Sequence, residues 1–292
     1  METSEKKSIF SRLKLENLNP DKKEMSFIDH LEALRWHIVR SLLVWLTLVI
    51  TIFIYRKWFL DIILAPSKNS FVTYGSLCKF SHWSHLGEAL CMPPINMELQ
   101  FNTLSGPFMT SISIAMVGGI ILAFPYFVWE IWRFIKPALS PKELKYSRGA
   151  IFWVSLCFFI GGSFGYYLLA PFTFNFLANF EFGTSNSFIY RPTMDDYIDT
   201  INNIILGCGI AFELPIIAYV LCKIGLISAE FLRKTRKYAF VIILVVAAII
   251  TPSPDWTSQI LVALPLLALF EISIWICARI DKKKEKEAKE WS

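Results

Sequence analysis

The chain has 292 residues, of which 54% are hydrophobic and only 18% charged, and its mean hydropathy is +0.47. Apolar runs approach the ~20 residues needed to cross about 30 Å of hydrocarbon, which excludes a soluble globular protein and predicts an all-α integral membrane protein. The formal charge of +5 then reports topology and contact with anionic lipid, with no need of nucleic acid as a partner.

In chain order, residues 1–24 read as a mobile cytoplasmic tail. Met1 to Asn19 carries Lys6, Lys7, Arg12 and Lys14 with no apolar core, so it is neither a cleaved signal nor a lipidation site. A six-span membrane domain follows over 25–279, and 280–292 is a charged cytoplasmic tail that continues the last helix into water. Met25 to Trp36 reads as an amphipathic helix in the inner interface. Ser26 is its cap, Phe27, Ile28, Leu31, Leu34 and Ile38 form its apolar face, and Asp29, Glu32 and Arg35 lie on its polar sides. It either anchors and orients the first span or carries a binding function of its own.

The spans fall at roughly 38–55, 108–132, 150–170, 201–222, 238–251 and 258–278. Six is even, so both termini share one side. With the N-terminus inside, all but five of the 29 Lys and Arg lie on inner segments, and Arg56, Lys57, Lys68, Lys79 and Arg191 remain outside. This predicts an N-in/C-in protein with both termini in the cytoplasm.

The outer loop, about 56–106, is expected to fold into short helices that cap the outer face. In an oxidising compartment Cys78 and Cys91 favour a disulfide, and a loop of this length is stabilised by about 3 kcal/mol. A zinc site using His82 and His85 is the sharper alternative, but the spacing fits no standard signature. Cys157, Cys208, Cys222 and Cys277 lie within spans as small soft residues that need no pairing.

The loop after the second span holds one carboxylate, Glu143, among Arg133, Lys136, Lys142, Lys145 and Arg148. A lone acid in a basic loop invites a cationic partner. Three spans pair an internal proline with a carboxylate: Pro125 with Glu130, Pro215 with Glu213, Pro265 with Glu271. Proline frees a backbone carbonyl, and an acid at membrane depth is costly unless paired or solvated. Glu213 is the deepest; Glu130 and Glu271, nearer the inner interface, are as readily structural as functional. Gly161, Gly162 and Gly165 permit close helix packing. The fifth span is short, and Thr251 to Asp255 forms a rigid outer turn.

The spans carry no His, no nucleophile elbow and no metal motif, so no enzyme chemistry and no cofactor are expected. No phosphate-binding loop is present, so nucleotide hydrolysis is not encoded here.

Several ordered motifs carry a resemblance over about Ser26 to Arg279. They are FIDHLEALR, the LAP ending at Pro66, FPYFVWEIWRFIKPALSPKE, the AFELP at Ala211 to Pro215, TPSPDWTSQ and LFEIS. In this order on a six-span chain they resemble the TatC family of twin-arginine translocase proteins. The resemblance implies a concave receptor-like bundle with short fifth and sixth spans and an outer cap. It also implies binding without chemistry: a cytoplasmic acidic patch takes the paired arginines of signal peptides on folded precursors, TatA/TatB-type single-span proteins are recruited, and the proton-motive force drives transport. Self-association and a place in the bacterial cytoplasmic (inner) membrane are implied as well.

The matching positions are Glu143, Leu34, Arg35, Phe134 and Pro137 for the signal peptide, and Glu213, Pro215, Pro66, Asp255, Gln259 and Glu271 for partners and translocation. One position departs. Where the family has an acid directly before Leu-Arg, this chain has Ala33, so Glu32 or Asp29 is expected to compensate in part. The runner-up function is a proton-coupled secondary transporter of a small solute, although no internal repeat relates the two halves.

Overall fold

A computed structural model describes residues 27–85, 91, 93, 97–136, 149–179, 191–251 and 256–290. Among these, regular structure is helical apart from one isolated bridge between Gln100 and Thr193. Helix α1 spans Phe27–Ile54, and the segment between it and the next long helix supplies α2 (Arg56–Ile63), a 3-10 turn (Ala65–Ser67) and α3 (Val72–Trp83). Then come α4 (Gly106–Ile135), α5 (Ala150–Phe164), a π turn (Gly165–Leu169) and α6 (Ala170–Ala178). The last are α7 (Met194–Ala211), α8 (Leu214–Ile224), α9 (Ala229–Lys234), α10 (Arg236–Ile250) and α11 (Trp256–Glu290).

Among the described residues, five helical segments are long and apolar enough to cross a bilayer, namely Leu31–Ile54, Gly106–Ile135, Ile151–Ala178, Met194–Ile224 and Val262–Lys286. The sixth apolar helix, α10, has only 15 residues, so the short fifth element expected from hydropathy is present. α11 runs for 35 residues because the Lys/Glu run after Ile280 is made of good helix formers and continues the last helix, as expected; its span, Val262–Lys286, has 25 residues, so the sixth span is not short. The amphipathic stretch before the first span is helical from Phe27, as expected, and runs without a break into that span as α1.

Pairing of helices sets the layout. α1 lies on α4, α4 on both α5 and α7, α8 and α10 on α11. Close contact is permitted where side chains are absent: a Cβ on Gly161 would stand 2.5 Å from the carbonyl oxygen of Cys208, so α5 and α7 meet backbone to backbone there. Leu42, Leu43, Leu46 and Ile50 on α1 and Val241, Ile242, Val245 and Ile249 on α10 are exposed. Outward apolar side chains of this density fit a hydrocarbon solvent.

Tyrosine hydroxyls tie the cap to the bundle. Tyr166 donates to the Ile62 carbonyl at 2.6 Å, Tyr197 to that of Ile63 at 2.8 Å and Tyr74 to that of Pro66 at 2.8 Å. Pro66 is buried, and burial pushes the Tyr74 phenol above its ordinary pKa, so it stays a donor. The bonds to Ile62 and Ile63 satisfy carbonyls at the end of α2 that the helix itself cannot.

Cys78 and Cys91 form the expected disulfide. Cys222 and Cys277 form a second one, which corrects the reading that the cysteines within spans need no pairing. Both are fully buried beside Ala218 and Ala229, where α8 packs on α11. The bond is reinforced nearby: Asp281 accepts from the Ala229 N–H at 2.8 Å, and Lys284 donates to the Cys222 carbonyl at 2.9 Å. Cys157 and Cys208 are free.

Alkylation of the denatured, unreduced protein is therefore expected to modify Cys157 and Cys208 alone, read by intact mass, and reduction should expose all six cysteines. Four reactive thiols before reduction would contradict the second bridge.

Candidate functional site

Two carboxylates that hydropathy places inside apolar helices meet opposite fates. Glu130, on the last turns of α4, is 1% exposed. Its Oε2 is bonded to His37 Nδ1 of α1, Tyr126 Oη donates to its Oε1 at 2.8 Å, and Arg133 Nη1 stands 3.6 Å away. The Arg133 guanidinium also stacks over the Trp129 ring, 4.8 Å from its centroid. Tyr126 reaches Glu130 because residues four apart share a helix face. His37 arrives from the neighbouring helix, and its ring meets Phe134 edge-on at 6.0 Å. This cluster is not legible in the sequence: the first span, expected from about residue 38, begins at Leu31 and so includes His37, and nothing in the spacing of His37 and Glu130 signals their contact.

The cluster joins the start of α1 to the end of α4. Leu34 is half-buried one turn before His37, and Glu32 and Arg35 are exposed on either side. Ala33 is half-buried on the same face as His37, four residues away. Glu32 sits about 100° round the helix from Ala33, exposed and able to swing. Phe134 is half-buried and Lys136 exposed at the foot of α4. Glu143, Pro137, Asp255 and the side chain of Asp29 lie outside the described residues.

One oxygen of Glu213 ends up without a partner among the described residues. It occupies the break between α7 and α8, with Pro215 in the first turn of α8. Its backbone is engaged, since its carbonyl accepts from Ile217 N at 2.9 Å and its own N–H donates to Ile210 at 3.0 Å. Its side chain is 7% exposed, and Oε1 has no hydrogen-bond partner among the described residues. A buried acceptor in this state carries an unmet demand for a donor.

The remaining candidates are structural in geometry. Gln259 donates from Nε2 to the Leu244 carbonyl at 3.0 Å and braces α10 against α11. Glu271 is half-exposed and pairs with Arg236 at 2.6 Å, a surface ion pair between the same two helices. In the cap, Cys78, His82 and Cys91 bring their ligand atoms together, with His82 Nε2 3.9 Å from the Cys91 sulfur. Both sulfurs are spent on one another, so this form offers a metal no thiolate.

A family model for "Sec-independent protein translocase protein (TatC)" matches residues 29–265. The chain belongs to the TatC family. The TatC protein of Blattabacterium sp. subsp. Periplaneta americana is 40% identical over 268 residues, covering 90% of this chain and 99% of that protein. That of Carboxydothermus hydrogenoformans is 35% identical, covering 90% and 96%. A crystal structure of the twin-arginine translocase receptor TatC superposes with a TM-score of 0.66 at 32% identity, over 85% of this chain and 97% of that one. TatC is a translocase component and not an enzyme, as the sequence predicted.

Truncating either half of the α1–α4 clasp leaves a buried polar group unmet, at a cost of about 1–3 kcal/mol. His37→Ala and Glu130→Ala should each lower the unfolding midpoint in detergent, with Glu130→Gln milder because it still accepts from Tyr126. Midpoints equal to wild type would show that the clasp holds nothing.

Proposed function

We propose that this TatC protein is the core receptor of twin-arginine export. In this reading six spans place both termini in the cytoplasm, and the α1–α4 end faces inward. The paired arginines of a signal peptide bind there through the loop acid Glu143, with Glu32 or Asp29 as the second carboxylate in place of the absent acid at Ala33. Guanidinium is always charged and makes forked hydrogen bonds to carboxylates, so lysine is a poor substitute. Leu34, Arg35, Phe134 and Pro137 frame the site.

The observation that carries the reading is the clasp of α1 on α4 through His37 and Glu130. It holds the Glu32 to Arg35 turn beside the foot of α4 at Lys136, from which the Glu143 loop continues. A rigid base under both halves of an acidic patch is what a recurring dibasic ligand requires.

Partner recruitment is assigned to Glu213. A polar side chain of a TatA/TatB-type helix would supply the donor that its Oε1 lacks, beside the break at Pro215, and the proton-motive force would drive the later steps. Pro66, Asp255 and Gln259 then shape the cap and the α10–α11 turn, while Glu271 serves Arg236. Self-association of the receptor completes the assembly.

Glu143→Ala should weaken binding of an Arg-Arg precursor by roughly tenfold or more, with Glu143→Asp intermediate, measured by precursor pull-down in membranes. Undiminished binding would remove Glu143 from the site. Glu213→Ala should leave precursor binding intact but lose co-purification of the single-span partners, and Glu213→Gln should retain part of it. Normal recruitment by Glu213→Ala would refute that assignment.

A further inference from the structure

At the end of the bundle opposite the His37–Glu130 clasp, a notch of about 430 Å³ opens between the last turn of α1, the short helix α2 and the first turns of α4. Phe53, Leu60, Phe108 and Ile114 make its walls, Phe101 lies over it, and Arg56 and Lys57 stand at its rim. The two hydroxyls in the lining are already used: Thr110 donates to Asp195, and Ser111 donates to the Pro107 carbonyl at 2.7 Å. Arg56 is laid over the Phe53 ring, 5.5 Å from its centroid, and neither cation pairs with a carboxylate among the described residues.

We propose that this notch binds one anionic phospholipid, its phosphate at Arg56 and Lys57 and an acyl chain along Phe53, Phe108 and Ile114. Three features point to that occupant. Position is the first: the rim lies where α1 leaves its apolar run at Ile54, at the depth of lipid headgroups, and Ile114 lies about 12 Å further along α4, at hydrocarbon depth.

Charge is the second. Basic residues are scarce at this end of the bundle, and Arg191 is already paired with Glu98. Asp195 is engaged by Thr110, and two adjacent cations that pair with no carboxylate among the described residues are complementary to a phosphate and attractive to anionic lipid. Shape is the third. The walls below the cations are apolar, which rejects free phosphate, and the volume suits an acyl chain rather than a helix about 10 Å across.

The probe is a benzoylphenylalanine at Phe101, irradiated in nanodiscs holding equal parts of dioleoyl phosphatidylglycerol and dioleoyl phosphatidylcholine, with adducts identified by mass spectrometry. A second probe at Leu264, a lipid-facing residue of α11, reports the general lipid environment. The expected result is about tenfold enrichment of phosphatidylglycerol at Phe101 over Leu264, lost in R56Q/K57Q and kept in R56K/K57R. Equal lipid ratios at the two probes would overturn the proposal, as would enrichment that survives R56Q/K57Q. If R56Q/K57Q fails to fold, the comparison of the two probes in the wild-type chain decides alone. A protein adduct at Phe101 in native membranes would assign the notch to a partner helix instead.

Discussion

A carboxylate buried at the foot of an apolar helix must be met by donors, and Glu130 is the place where that demand organises this protein. Tyr126 and Arg133 come from its own helix, but the bond from His37 crosses to α1. α1 is an edge helix whose best apolar window is only 6% buried; further along, Ile52, Val49 and Trp45 pack closely on Gly118 and Gly119 of α4, and Trp45 Nε1 donates to the Met116 carbonyl at 3.2 Å. The hydrogen-bonded cluster acts with these contacts to set its depth and rotation against α4. Because helical side chains recur on a fixed pitch, fixing His37 also fixes which of residues 32 to 35 face α4 and which face water.

Glu213 is the counterpart. Where Glu130 is surrounded by donors, Glu213 lies buried with an unpartnered oxygen at a break in the α7–α8 pair. A stable resting fold keeps the first kind of acid for itself, and an acid of the second kind has bonding capacity to offer another chain. On this contrast Glu130 serves the chain's own fold and Glu213 is the acid we propose for docking, although both are carboxylates near prolines in sequence. The two ends of the bundle are likewise built differently. One is clamped by charge and by the Cys222–Cys277 bridge, the other by tyrosine hydroxyls closing the ends of short cap helices.

Much of the architecture is readable because hydropathy over ~20 residues depends on composition alone. The apolar helices, the short α10, the helical cap, the Cys78–Cys91 bridge and the break at Pro215 all follow from local pattern. What is not readable depends on which helices touch. Cys222 and Cys277 are 55 residues apart, and His37 and Glu130 are 93 apart; neither spacing signals a contact. Glu271 and Gln259 look in sequence like functional polar groups within a span, and only their partners on α10 reveal them as braces. Ala33 remains a departure from the family motif, and its half-buried position facing α4 leaves the exposed Glu32 as the nearest acid on that turn.

Whether the α1–α4 end receives paired arginines is decided by site-specific photocrosslinking in native membranes, with a probe at Leu34 and a precursor whose signal carries either Arg-Arg or Lys-Lys. A receptor built on carboxylates at this end gives a crosslink to the Arg-Arg form that the Lys-Lys form loses. Equal crosslinking of both forms, or none with the protein correctly inserted, would contradict it.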